Sequence, residues 1–193
     1  MQLTPAILSG RFARLEPLAE AHREPLRAAA AADPDIWSVY PVSLYGEHFD
    51  PWWAKVAADR DRGAWLPFAV LAGDELVGMS CFIAPDSANG SVEIGSTYYL
   101  PELRGGAVNP QAKRLLLAHA FDAGARRVAF RVDALNVRSR AAVLKLGAVQ
   151  EGIMRQDRVT WTGRVRDTVV FSILAEEWPA VRERLDARLA DFA

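Results

Sequence analysis

The sequence predicts an α/β fold with one mixed sheet and helices on both faces, and three observations carry that expectation. Apolar runs rich in β-branched and aromatic residues alternate along the 193 residues with Ala-, Leu- and Arg-rich segments of helical character. Two such runs, Phe68–Ala72 and Leu76–Ala84, flank Gly73-Asp74, which signals a hairpin. A third run, Val92–Leu100, feeds a glycine-containing loop and then a helix, Asn109 to about Gly124.

The elements follow in order. Phe12–Leu18 reads as a first strand. Ala19–Ala32 is a helix of high Ala, Glu and Arg content, stopped by Asp33-Pro34 because the residue before proline is pushed out of the helical region. After an aromatic segment, Pro51–Arg62 reads as a second helix, and the hairpin strands and the Val92–Leu100 strand come next. The third helix is read with Asn109 as its N-cap and Pro110 at its first position, where a missing N–H costs nothing. Arg127–Ala134 is a strand, and Val137–Leu146 a helix closed by Gly147. Ala148–Thr160 and Asp167–Leu174 are strands around the turn Thr162-Gly163, and Glu177–Leu189 is the last helix. Residues 1–193 are read as a single domain.

Composition narrows the function classes. The chain is 51% hydrophobic and 24% charged with a net charge of −1, so no global basic field points to nucleic acid. No apolar stretch approaches the roughly 20 residues of a membrane span, and the first residues lack a basic region and cleavage site. The single cysteine, Cys81, lies in an apolar run; it forms no internal disulfide, fits a reducing cytoplasm and reads as a small buried hydrophobe. No metal-ligand spacing, nucleophile elbow or phosphate loop of the nucleotide-hydrolase type is present.

The segment Arg104-Gly105-Gly106-Ala107-Val108-Asn109 has the makings of an anion site. Unpaired N–H groups at a helix N-terminus and the positive end of its dipole point to one place, and Arg104 adds a fixed charge. A plain tight turn at Gly105-Gly106 is the structural alternative.

Beyond this loop, a collinear set of segments resembles the GCN5-related N-acetyltransferase (GNAT) superfamily, in its RimJ/RimL-like branch. The set comprises Leu15–Leu18 with His22, Gly78, Glu93-Ile94-Gly95 through Tyr99, Leu103-Arg104-Gly105, Val108-Asn109 with Lys113, Asn136–Ala142, and Lys145–Ala148. Glu151-Gly152, Arg155, Arg166-Asp167-Thr168, Phe171-Ser172 and Glu177-Trp178 extend it through the tail. The resemblance implies a mostly antiparallel sheet of about seven strands, splayed by a bulge between Ile94–Leu100 and Arg127–Ala134, and transfer of an acetyl group from acetyl-CoA to an amine. It places the pyrophosphate of coenzyme A at Arg104–Asn109 and the pantetheine arm along Tyr98, Tyr99 and Leu100, with Asn136 and Arg140 as further contacts. Since Tyr98 and Tyr99 alternate across the strand, one of them at most faces the cofactor. The chain departs from the common pattern in two ways: Ala107 and Asn109 stand where the loop commonly has permissive glycine, and Val143 stands where many members carry a tyrosine acid.

The chemistry requires a base, oxyanion donors and a leaving thiolate. The resemblance makes Glu93 the leading base, since the family often places a carboxylate near the start of this strand, with a solvated or Arg-paired strand glutamate as the alternative. Glu151 and Asp167 are weaker candidates, an Arg166–Asp167 ion pair being the simpler account of the latter. Ser139 either assists the leaving sulfur or satisfies helix amides. Backbone N–H groups near Ser96–Tyr98 are the expected oxyanion donors. The family's acceptor cleft is lined by aromatic residues after the first strand, which singles out Trp37, Tyr40 and Trp53 from a cluster that also holds Trp52 and Trp65, most of it core. Arg155 and Arg158 are either contacts to an acidic acceptor or solvated strand charges. The leading function is an acetyl-CoA-dependent N-acetyltransferase acting on a protein N-terminus or a small amine, with no nucleic acid or membrane partner and with the family's homodimer as an expected assembly. A non-catalytic acyl-CoA-binding or sensing module is the alternative, and a structural domain without cofactor the third reading.

Overall fold

A computed structural model describes residues 1–192. Eight strands form one open sheet: β1 (Leu8–Ser9), β2 (Arg14–Pro17), β3 (Trp65–Ala72), β4 (Glu75–Asp86), β5 (Ser91–Tyr99), β6 (Arg127–Asp133), β7 (Val149–Val159) and β8 (Val165–Leu174). Their spatial order is β1-β2-β3-β4-β5-β6-β8-β7, and every neighbouring pair is antiparallel except β5–β6. The two-residue β1, paired Leu8 to Leu15, is the strand that local patterning missed. Five helices complete the fold: α1 (Arg23–Ala31), α2 (Phe49–Asp61), α3 (Val108–Asp122), α4 (Val137–Leu146) and α5 (Trp178–Ala190). The segment expected as one helix from Ala19 is broken into a 3-10 turn, Glu20–His22, followed by α1.

Two features of β5 open the sheet. Its parallel pairing with β6 covers only Ser91–Glu93 against Arg127–Ala129, so from Ile94 onward the two strands have no mutual ladder. On the other side, the register with β4 shifts between Met79↔Tyr98 and Cys81↔Gly95, which places one extra residue in β5. Ser96 absorbs it at φ +46, in the left-handed region. The expected splay and bulge therefore fall in the expected strand.

Residues beside the bulge fix the helical layers. The Tyr98 hydroxyl donates to Ala29 O of α1 at 2.7 Å, and its ring stacks on Trp37 at 4.9 Å. The next side chain inward, Thr97, points the other way and meets α3 through Lys113. Leu116, Leu117 and Ala120 bury the inner face of α3 completely, and α5 covers its outer side through a Phe121–Trp178 stack and an Arg114–Asp186 ion pair at 2.7 Å. Helix α4 forms as its sequence dictates: Asn136 Oδ1 accepts from Ser139 N at 3.0 Å, and Gly147 closes it at φ +96.

Candidate active site

The split between β5 and β6 opens a cleft of about 610 Å³. Glu93, at the last paired position, lies at its closed end. Tyr99, Arg104, Gly105 and Asn109 line the part that follows the far end of β5, roughly 20 Å of strand away from Glu93. Asn136, Arg138 and Ser139 contribute a wall from α4, and Trp37, Tyr40 and Trp52 another from the segment between α1 and α2.

The loop after β5 keeps the uncapped helix N-terminus expected of an anion site, with a shifted helix start. A 3-10 turn, Pro101–Leu103, leads to Arg104, and Gly105 sits at φ +85, where a side chain would be strained. Helix α3 begins at Val108 with Ala107 as its N-cap, two residues before the expected Asn109 cap. No side chain caps it, so the N–H groups of Val108 and Asn109 open the helix without an intrahelical partner, and Gln111 N makes an early internal bond to Ala107 O at 3.0 Å. Pro110 brings no N–H to satisfy. Arg104 is braced: Nε donates to Tyr99 O at 3.0 Å, Nη1 pairs with Asp33, and the guanidinium lies 5.5 Å from the Tyr98 ring centre. Its Nη2 is buried with no partner.

At the closed end, Glu93 is largely buried, with Arg131 Nε 3.5 Å from Oε2. Burial pushes its carboxyl above the ordinary glutamate value, against the pull of Arg131, Arg158 and Arg166. A raised carboxyl in a cleft is a group suited to taking a proton. Ser139 lines the same cleft; its backbone N–H is held by Asn136, whose Oδ1 is thereby spent on the cap. Tyr99 presents a buried hydroxyl without a partner, whereas the Tyr98 hydroxyl is used by α1, so Tyr99 is the tyrosine left free for a ligand. Tyr40 donates to Thr97 O at 2.7 Å beside the bulge, and burial pushes its phenol up to about 12.

Several expected residues lie elsewhere. Trp53 is in the core, stacked on Phe49 and donating to Glu20 at 3.2 Å, while its neighbour Trp52 reaches the cleft wall. Arg155 is exposed on β7 outside the cleft; Arg158 is the arginine of that strand that lines it. Arg140 turns back to Ala134 O at 3.1 Å, and Leu100, Gly106, Ala107 and Val108 shape the loop without forming the cleft wall. Glu151 is paired with Arg127 and accepts from Ser172 at 2.8 Å, and Asp167 accepts from Gln156 N at 2.7 Å. The anticipated Arg166–Asp167 pair is replaced by Arg166 beside Asp133 at 3.9 Å.

The sequence reading assigned no role to Lys113. It is 5% exposed on α3 and donates to Thr97 Oγ1 at 2.6 Å and Ser80 Oγ at 3.1 Å. These bonds tie the anion-loop helix to both strands at the bulge. Its place in the segments that carry the family resemblance, and a lysine at an inward-facing helix position, were the signals available.

A family model described as an acetyltransferase (GNAT) domain matches residues 13–149. The chain belongs to the GNAT acetyltransferase family. Solved structures agree along nearly the whole length. A GCN5-related N-acetyltransferase from Brucella melitensis is 32% identical at a TM-score of 0.89, covering 96% of this chain and 86% of its own. A GNAT-family protein from Chromobacterium violaceum ATCC 12472 is 33% identical at 0.82, covering 91% and 89%. Mycobacterium smegmatis RimJ, solved with CoA-disulfide, shares the fold at 22% identity and 0.82, with 95% of each chain covered. The chain is thus an acetyltransferase, and the cleft described above is its candidate active site.

Proposed function

We propose that this GNAT protein is a RimJ/RimL-like N-acetyltransferase of one domain that moves an acetyl group from acetyl-CoA to a primary amine by direct attack in a ternary complex. The observation that carries the reading is the buried Glu93 at the closed end of a split whose other end is an uncapped helix N-terminus. The residues fit acetyl-CoA: Val108 and Asn109 offer free N–H groups and Arg104 a spare Nη2 for phosphate, and the unpaired edge of β5 offers a strand for pantetheine amides. Tyr99, Gly105, Asn136 and Ser139 line the path between. Acetyl-CoA supplies an acyl group activated as a thioester.

Within that frame, the Glu93 carboxylate accepts the proton that the acceptor ammonium must lose before its nitrogen attacks the carbonyl carbon. Backbone N–H groups at the Ser96 bulge, released from a regular ladder, are the donors for the oxygen that becomes negative. Ser139 stands on the α4 side to donate toward the leaving sulfur, a modest demand because a thiol of pKa ~8.5 leaves readily. Trp37 and Tyr40 shape the acceptor wall. A protein N-terminus is one acceptor type in the fold: a Salmonella typhimurium neighbour, 18% identical, modifies the N-terminal serine of a 50S ribosomal subunit protein. The buried Cys81 supports a cytoplasmic setting, and the family habit supports a homodimer, which light scattering tests.

Release of free thiol from acetyl-CoA with a panel of primary amines tests the reading. Amine-dependent release is expected; binding of acetyl-CoA without release for any amine would replace it with the acyl-CoA-binding alternative.

A further inference from the structure

Four arginines and three carboxylates meet at the Glu93 end of the cleft, and they do not cancel. Asp133, 1% exposed at its side chain, is bonded by Arg164. Asp157 holds Arg158 at 2.9 Å and accepts from Thr168 at 2.8 Å. Glu93 faces Arg131 at 3.5 Å. The fourth arginine, Arg166, is 3% exposed and lines the cleft with a buried Nε that has no hydrogen-bond partner. Asp133 lies 3.9 Å from that Nε and is already engaged. The remaining Arg166 contact is a long bond from Nη2 to Arg131 O at 3.4 Å. Burial, with repulsion from Arg158, pulls this guanidinium below its ordinary value against the opposing pull of Asp133, Asp157 and Glu93.

A buried guanidinium whose nearest carboxylate is 3.9 Å away and shared with Arg164 is incompletely satisfied, and its free Nε can be completed by a ligand entering the cleft. Arg131 and Arg158 line the same wall with part-exposed guanidiniums, so an entering group meets three forks and two lining carboxylates, Glu93 and the already engaged Asp133. Planar guanidiniums match oxyanions in a paired, directional way that a neutral group cannot reproduce. The excess positive charge also repels acceptors that carry only ammonium groups, such as polyamines. The phosphates of CoA are directed elsewhere, to the loop roughly 20 Å of strand from Glu93. We propose that Arg131, Arg158 and Arg166 form an oxyanion subsite for the acceptor, which is therefore an amine bearing a carboxylate or phosphate close to the nitrogen that is acetylated. This rests on the acceptor being an amine, as proposed above.

The test uses matched pairs that differ only in charge: amino acids against their amides, and phosphoethanolamine against ethanolamine. The first series reports carboxylate, the second phosphate. With the intact protein and acetyl-CoA, the oxyanion member of at least one pair is expected to show kcat/KM at least about tenfold higher, and Arg158→Gln to shrink that ratio below about twofold with KM for acetyl-CoA unchanged. Calorimetric binding of the same pairs to CoA-loaded protein gives a readout that needs no turnover, with the same preference and the same loss in Arg158→Gln expected. Equal or tighter binding of the neutral members overturns the proposal, as does a raised acetyl-CoA KM in Arg158→Gln, which would assign the cluster to the cofactor. Oxyanion-selective binding without thiol release supports the subsite and counts against amine acetylation alone.

Discussion

At the scale of single residues, the most consequential group is Glu93. Its carboxyl is raised by burial, so wild-type kcat/KM is expected to fall as pH drops through that raised value, where the base becomes protonated. Glu93→Gln is expected to lower kcat about 100-fold and to remove that acid limb, with little change in the acetyl-CoA KM; a pH–rate series on both proteins checks it. Gly78 carries a purely steric demand. A Cβ there would overlap the Tyr98 carbonyl oxygen and come within 2.9 Å of Tyr99 Cδ1, so β4 passes the bulged strand only as glycine. Gly78→Ala is expected to cost about 1–3 kcal/mol, or roughly 2–12 °C in Tm by scanning calorimetry. Which arginine or tryptophan of a pair faces the cleft was illegible at this scale. Trp52 and Trp53 lie about 100° apart on α2, and aromatic content alone does not orient the helix. On β7, Arg155 and Arg158 are three residues apart, so alternation puts them on opposite faces, and Arg158, in register with Arg166, is the one at the cleft; which face is inward depends on that cross-strand register.

At the scale of elements, β5 and α3 act as one unit through Lys113. Its ammonium joins the helix that opens at the anion loop to Thr97 and Ser80 on either side of the bulge ladder. Burial pushes the amine down to about 7, from 10.5 in the unfolded chain. Between these values the unfolded state holds a proton that the folded state lacks. Stability is therefore expected to be flat below pH 7 from this group and to rise as pH climbs from about 7 to 10.5, by at most about 1.4 kcal/mol per pH unit. Urea unfolding of wild type and Lys113→Met across that range checks the sign: the methionine variant is expected to lose the rise. Helix α4 was fully legible because Asn136 and Gly147 are local cap signals. Helix α3 was read two residues late because Ala107, which begins it, has no capping side chain to announce the start.

At the scale of the whole molecule, the cleft is assembled by parts distant in sequence. The β7–β8 turn reaches the segment after α1, where Trp161 Nε1 donates to Trp37 O at 2.8 Å and Trp161 N to Pro41 O at 3.1 Å. His48 packs on the same indole at 5.0 Å. These contacts link the proposed acceptor wall to the arginine-bearing strands. With acetyl-CoA placed across the β5–β6 split as proposed, its binding is expected to raise global stability by about 2.7 kcal/mol at a concentration 100 times its Kd. A thermal-shift titration checks this, and the absence of any shift would exclude a cofactor-binding cleft. No helix among the described residues is long and apolar enough to cross a membrane.

The sequence by itself determined the order and type of nearly every element, the strand that would bulge, the loop that would offer free amides, and Glu93 as the base candidate. The elements and the loop rest on local rules of caps, turns and alternation; the bulged strand and Glu93 were implied by the family resemblance. Only the tertiary structure decided that β1 exists, that Tyr98 is used by α1 while Tyr99 is free, that Lys113 pins the bulge, and that Arg166 is buried without a full complement of partners. Each of these depends on what one element finds across from it in the fold. Such partners arise from strand register, bulges and packing between residues far apart in the chain, and those relations have no local signal to read.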